Sequence, residues 1–322
     1  MAPSPAPRSL LAEKYRGSTR AVELSSATGG FGHNEELRSP ISPNAGQNEC
    51  RIPRQPRRCL LLGQSVGAVV KEGAHGNAFW VPISTFRRTD NSEGIFPHTV
   101  TDRSKPGVVA VNHNGRRFAN EARSYHQFIS EMLKANVEAD AKEAFLICDS
   151  SFMWKYGLGA IDHSHGRCVA ISIKVTFMKR GTLQALAEKL KIDSAALVHT
   201  VARFNDGADK GLDPDFGRGG DPYQRYLGDA DVKPNPCVAP IEKDPYYAIA
   251  IYPGDLGTAA GLAVAPDGNV LDERGKPIRG LYACGNDMAF NHGRRLSRPG
   301  ITLGPALTFG FLVAERLASG NF

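Results

Sequence analysis

Two stretches near the C-terminal end, GLYACGND at residues 280–287 and RPGITLGPALTFGF at residues 298–311, decide how the rest of the chain is organised. The first is a short apolar strand, residues 281–284, that stops at Gly285, where the missing Cβ lets another group come close to the backbone. The second opens a helix at Thr302, with Leu303, Gly304 and Pro305 in its first turn; proline is tolerated there because its missing N–H would be unpaired anyway. Such a helix aims unpaired amides and the positive end of its dipole at whatever lies above Gly285. The same turn also serves plain strand–helix packing, and spacing alone leaves both readings open.

Working outward, YYAIAIYPG predicts a strand stopped by Pro253 and Gly254, and a hairpin turn follows at Asp267–Gly268. Residues 182–190 and 194–205 have helical periodicity, with Leu183, Leu186 and Leu190, then Leu197, Val201 and Phe204, on the apolar faces. Residues 207–240 are rich in Gly, Asp and Pro and read as largely loop. Residues 108–111 predict a strand, Asn114–Gly115 a tight turn into a second strand, residues 121–137 a helix, and AFLICDSS a buried strand. Further upstream, residues 60–70 carry a helix-like apolar pattern, and residues 21–24 a short strand leading to a turn at Gly29 and Gly30, with Asn34 placed to cap a helix. Strands and helices mixed in this way, with 34 Gly and 21 Pro, point to a loop-rich α/β protein rather than a helical bundle.

Composition narrows the function classes. No window approaches the ~20 apolar residues that span a bilayer, so no integral membrane segment is expected. The first twenty residues lack an apolar signal core and read as a disordered leader, so a cytoplasmic location is expected. Six cysteines without a CxxC pair fit a reducing compartment and no zinc site. The net charge of +6 raises nucleic-acid binding, but seven arginines lie in just two strings, RIPRQPRR (51–58) and GRRLSR (293–298). Those two strings outweigh the whole excess, so no basic face remains for DNA or RNA.

A second constellation lies in NGRRFANEARSYHQF, where Arg116, Arg117, Glu121, Arg123 and Tyr125 crowd one junction. A buried tyrosine beside arginines would have a lowered pKa and could serve as a base, because cations favour the phenolate. A surface ion-pair cluster with an interfacial tyrosine has the same composition. His113 and His126 flank the site, and His163 and His165 lack a partner at metal-ligand spacing, so no metal is inferred.

ATGGFGHNEEL, GQSVGA, NGRRFANEARSYHQF, RFNDGADKGLDPDFGRG, KPNPCVAPI, YPGDLGT, GLYACGNDMA and GITLGPALTFGF occur in this order, and together they resemble the 3-ketosteroid Δ1-dehydrogenase group of the fumarate reductase/succinate dehydrogenase flavoprotein superfamily. The resemblance runs from about residue 21 to the end. It implies an incomplete Rossmann-like FAD-binding domain interrupted by an α+β substrate domain. Residues 1–85 would be the remnant of the first FAD segment, 86–256 the substrate domain and 257–322 the returning FAD segment. It implies FAD as cofactor, with Thr28, Gly29, Gly30, Gly257, Gly285, Asn286, Thr302, Leu303 and Gly304 around it. It also implies a small ketone as substrate, with an electron acceptor it does not identify. In that group a proton and a hydride leave adjacent carbons of a ketone ring, the hydride going to flavin N5. The base maps to Tyr125, and the glycine amide that polarises the carbonyl maps to Gly300. The carbonyl's second donor, a tyrosine, maps to Leu296. A fumarate-reductase-like activity, or an inactive truncated remnant, are the other outcomes such a chain allows.

Two departures stand out. No strand–GxGxxG–helix occurs anywhere in the 322 residues, and without it the adenylate half of FAD has no pyrophosphate cradle. Leu296, moreover, cannot donate a hydrogen bond. The group has a string like SIMGGAYPG where this chain has FNHGRRLSR. The codons TTC AAT CAT GGG CGG CGC CTA TCC CGG encode the latter and, read one base later, the former. RIPRQPRRC shifts the same way to AFPGNPGDA. Both arginine-rich strings therefore read as local frameshifts.

Overall fold

The computed structural model describes residues 24–30, 59–73, 77–88, 90–99, 102–161, 177–289, 300 and 302–319. The leader, Asn34, both arginine-rich strings, His163, His165 and Leu296 lie outside the described residues.

The largest unit is an antiparallel sheet built from β3 (Ala78–Arg87), β4 (Glu93–Pro97), β5 (Val108–Val111), β6 (Ala144–Cys148), β7 (Phe177–Arg180) and β8 (Tyr246–Thr258). Its order is β4-β3-β8-β6-β5, with β7 also paired to β8. Successive side chains of β5 and β6 face opposite sides, and both sides are covered. Val108, Ala110, Leu146 and Cys148 join a core with Phe128, Ile129 and Met132 of helix α2 (Tyr125–Glu138). Val109, Val111, Phe145 and Ile147 meet Leu186 and Leu190 of α4 (Leu183–Leu190) and Leu197, Val201 and Phe204 of α5 (Ser194–Ala208). That double burial explains the unbroken run AFLIC.

A smaller sheet carries β1 (Leu24–Ser26) parallel to β11 (Pro277–Ala283), with β10 (Asn269–Leu271) antiparallel on the other side. A two-stranded ladder joins β2 (Val70–Lys71) to β9 (Gly261–Leu262). Helix α1 (Cys59–Ser65) contributes Leu60 to the core beneath, and α7 (Leu303–Ser319) buries Val313. The remaining helices are α3 (Ser150–Tyr156) and α6 (Pro222–Leu227).

Several expectations shift. Pro253 and Gly254 do not stop β8; Pro253 faces Pro82 across the ladder, and pairing runs on to Thr258. The hairpin after β5 shrinks to one bridge, Val111 to Arg117, because the regular partner of β5 is β6. The helix expected from residue 121 begins at Tyr125, where Ser124 caps it by accepting from the Gln127 amide. Residues 207–240 contain α6, capped by Asp221 with proline in its first turn. Leu60 to Val70 is helical only as far as Ser65, since Gly67 takes φ +88°.

Candidate active site

The glycine cluster expected around the cofactor comes together. Asp287 is buried at the end of a 3-10 turn, Gly285–Asp287. Its carboxylate accepts the Thr28 hydroxyl at 2.9 Å, the Gly30 amide at 2.7 Å and also the Thr28 amide. The loop after β1 is thereby tied to the end of β11. Gly257 and Thr258 pack on the same turn, with the Thr258 hydroxyl donating to the Asn286 carbonyl at 3.3 Å. Side chains have no room here: a Cβ on Gly30, at φ +85°, would stand 2.1 Å from Thr258 Oγ1, and one on Gly257 2.4 Å from Asn286 Nδ2. Asp287 went unsingled in the sequence, although its place directly after Gly-Asn was visible.

On the other side of the turn the backbone is open. Among the described residues, a Cβ on Gly285, at φ +63°, would meet only the Ala306 Cβ, at 3.5 Å, and one on Gly300 or Gly304 would meet nothing within 4 Å. Gly304 donates to the Gly300 carbonyl at 2.7 Å, and Ala306 to that of Thr302 at 3.2 Å, so α7 starts directly beside Gly285. Such a bare shelf suits the flat ring end of a flavin. Among the described residues no strand–GxGxxG–helix unit stands ready for the adenylate end. Helix α7 is apolar on nearly every side, yet Leu303, Leu307 and Phe311 are 70%, 73% and 67% exposed; a helix of that composition is normally covered.

The arginine-rich junction is a buried ion network, not a surface cluster. Arg117 binds Glu121 through Nε and Nη2 at 2.9 and 2.8 Å, and Asp213 through Nη1 and Nη2 at 2.7 and 2.9 Å. Arg218 adds a 3.1 Å contact to Glu121 and donates to the carbonyls of Val108, Arg103 and Lys105. Burial works against the charge of Arg117, but Glu121 and Asp213 override it and push its pKa up. Arg116 and Arg123 point to solvent. His113 sits 3.3 Å from Glu143, and His126 is buried in α2.

Tyr125 stands half-buried as the first residue of α2. The expected lowering of its phenol does not occur: burial pushes its pKa up, and Tyr223 adds to the rise. Of the three arginines expected beside it, Arg116 and Arg123 are exposed and Arg117 is taken up by Glu121 and Asp213. Tyr223, in α6, is raised by burial and drawn back by Arg103. Asn120 ties α6 to this junction, donating to Gln224 Oε1 at 3.1 Å. Arg103, Asp213, Arg218 and Tyr223 were not singled out in the sequence; for Asp213 and Arg218 nothing local marks a charge whose partner lies 96 or 97 residues away.

The family described as FAD binding domain matches residues 15–302. The chain is 37% identical over 303 residues to a 4-oxocyclohex-2-ene-1-carboxylate 5-dehydrogenase of Sinomonas cyclohexanicum, covering 92% of this chain and 51% of that protein. It is 33% identical over 302 residues to a 3-oxosteroid 1-dehydrogenase of Mycobacterium tuberculosis, covering 91% and 52%. The crystal structure of 3-ketosteroid delta1-dehydrogenase from Sterolibacterium denitrificans, in complex with 1,4-androstadiene-3,17-dione, superposes with a TM-score of 0.84 at 33% identity, covering 93% of this chain and 53% of that one. The chain thus spans about half the length of the relatives it matches.

Proposed function

The chain belongs to the FAD-binding domain family, and from that premise we propose that it is part of an FAD-dependent dehydrogenase that introduces a C=C bond next to a ring ketone. The carrying observation is the meeting of a side-chain-free shelf at Gly285, Gly300 and Gly304 with relatives that act on cyclic ketones. In this reading residues 1–85 and 257–322 are the cofactor portions and 86–256 the substrate portion.

Bound FAD would supply the hydride acceptor. Thr28, Gly30, Gly257 and Asn286, drawn together by Asp287, would wall the ring end, and the bare backbone at Gly285, Gly300 and Gly304 would leave room for it. Tyr125 would take the proton from the carbon beside the carbonyl, and the Gly300 amide would polarise that carbonyl. Only the phenolate of Tyr125 can take that proton, and burial keeps the phenol protonated past its ordinary range, so the active fraction grows as pH rises. A six-membered ring ketone is the substrate class; the steroid and the cyclohexane carboxylate are two members of it.

A second reading rests on its own observation. With no GxGxxG in the sequence and Leu303, Leu307 and Phe311 exposed, these 322 residues alone would be an incomplete remnant. Anaerobic mixing of flavin-loaded protein with a cyclic 3-ketone separates the readings. Bleaching of the flavin supports the dehydrogenase. Failure to load flavin supports the remnant, and reoxidation of reduced flavin by an unsaturated dicarboxylate supports a fumarate-reductase-like activity.

A further inference from the structure

Arg103 is wholly buried, and its hydrogen-bonded acceptors among the described residues are all main-chain carbonyls. Its Nε donates to His98 at 2.8 Å, Nη1 to Glu121 at 2.6 Å and Arg123 at 3.3 Å, and Nη2 to Thr99. The guanidinium lies 4.7 Å from the Phe128 ring centroid. Two of the carbonyls it grips therefore sit four and two residues ahead of Tyr125, and the ring it covers sits one turn beyond. The group is held from behind by a ladder. Asp102 accepts the Arg103 amide at 2.8 Å and binds His98 Nδ1 at 2.5 Å, while His98 Nε2 meets Ser84 Oγ of β3 at 2.9 Å. Ser84, His98 and Asp102 are all buried, so this serine–histidine–aspartate row has no access to a substrate and acts as a brace.

We propose that Arg103 is the positioning residue of the reaction centre: its grip on the Glu121 and Arg123 carbonyls, anchored to β3 through Asp102, His98 and Ser84, fixes where α2 begins and so where the Tyr125 ring stands. The assignment rests on the reading of Tyr125 as the base. A buried guanidinium that neutralised a carboxylate would only stabilise the fold. One that clasps carbonyls on both sides of a bend sets the bend itself, because its planar fork fixes their directions. Burial holds its pKa down, to about 10, against the pull of Asp102 and Glu121. At neutral pH the clasp keeps its charge.

Arg103→Lys keeps a cation but offers three donors in place of the fork. In ring-labelled tyrosine NMR, with Tyr125→Phe identifying the resonance, the Tyr125 phenol of the parent protein should titrate above the ordinary 10.0. In Arg103→Lys it should fall back toward 10.0 as the ring swings toward water. In flavin-loaded protein kcat should drop ~10²-fold, the cost of a misplacement of about an ångström, with KM little changed. If Arg103→Lys does not fold, Ser84→Ala, which loosens the ladder by one bond, should move the same resonance the same way by less. A folded variant with the Tyr125 titration unmoved overturns the proposal. The titration needs no turnover, so it can fail while the base assignment stands; undiminished turnover in Tyr125→Phe would instead remove the base assignment.

Discussion

Replacing Glu121 by glutamine tests whether the buried ion network holds together the fold around Tyr125. Glu121 is fully buried. Its Oε1 accepts the Ala110 amide and Arg117 Nε, both at 2.9 Å, and its Oε2 accepts Arg117 Nη2 at 2.8 Å and Arg218 Nη1 at 3.1 Å. Glutamine keeps the volume but turns one acceptor into an NH₂ donor aimed at guanidinium N–H groups. Arg117 retains Asp213; Arg218 is left with carbonyls alone. Removing one member of a buried ionic cluster costs about 3–5 kcal/mol, a large share of the ~5–15 kcal/mol that holds a typical domain together. Urea unfolding followed by circular dichroism should show that loss as a lower midpoint with an unchanged slope. Replacing Glu121, Asp213, Arg117 and Arg218 together by apolar residues should cost less than Glu121→Gln alone, since no unpaired charge of the cluster remains. A loss below ~1 kcal/mol for Glu121→Gln, the value of an exposed pair, would refute the reasoning.

Tyr125→Phe should lower turnover by ~10²–10⁴-fold with ketone binding unchanged; equal loss of binding would point to a structural role. Because the phenol is raised, the parent rate should still be climbing as pH passes the ordinary tyrosine value of 10.0, and a plateau near neutrality would contradict that direction. Gly30→Ala puts a Cβ 2.1 Å from Thr258 Oγ1 at a positive φ, so it should abolish flavin retention; unchanged retention would move the cofactor elsewhere. Leu307→Lys with Phe311→Glu should reduce self-association in sedimentation at unchanged helicity, whereas lost helicity would mean the face is packed.

How much was legible followed from how local each signal was. The strand–glycine–helix order at residues 281–304 showed because close backbone approach demands small residues at fixed places, and Gly285 and α7 do lie side by side. Helices α4 and α5 showed through the spacing of Leu183, Leu186 and Leu190 and of Leu197, Val201 and Phe204. β3 and β4 went unread: AFWVPISTFR carries a proline that argues against a central strand, yet Pro82 lies opposite Pro253. At Tyr125 the neighbouring residue types were right and their electrostatic effect was inverted. The sequence put three arginines close to Tyr125 in the chain, but only the fold showed that Arg116 and Arg123 turn outward and that Arg117 is held by Glu121 and Asp213.

A flavin is expected on the bare shelf at Gly285, Gly300 and Gly304, against the wall that Gly30 and Gly257 form. Titrating FAD into the purified chain and following flavin fluorescence tests it most directly. Saturable quenching that disappears in Gly30→Ala is the predicted result. Absence of saturable quenching, or quenching indifferent to Gly30→Ala, would contradict it.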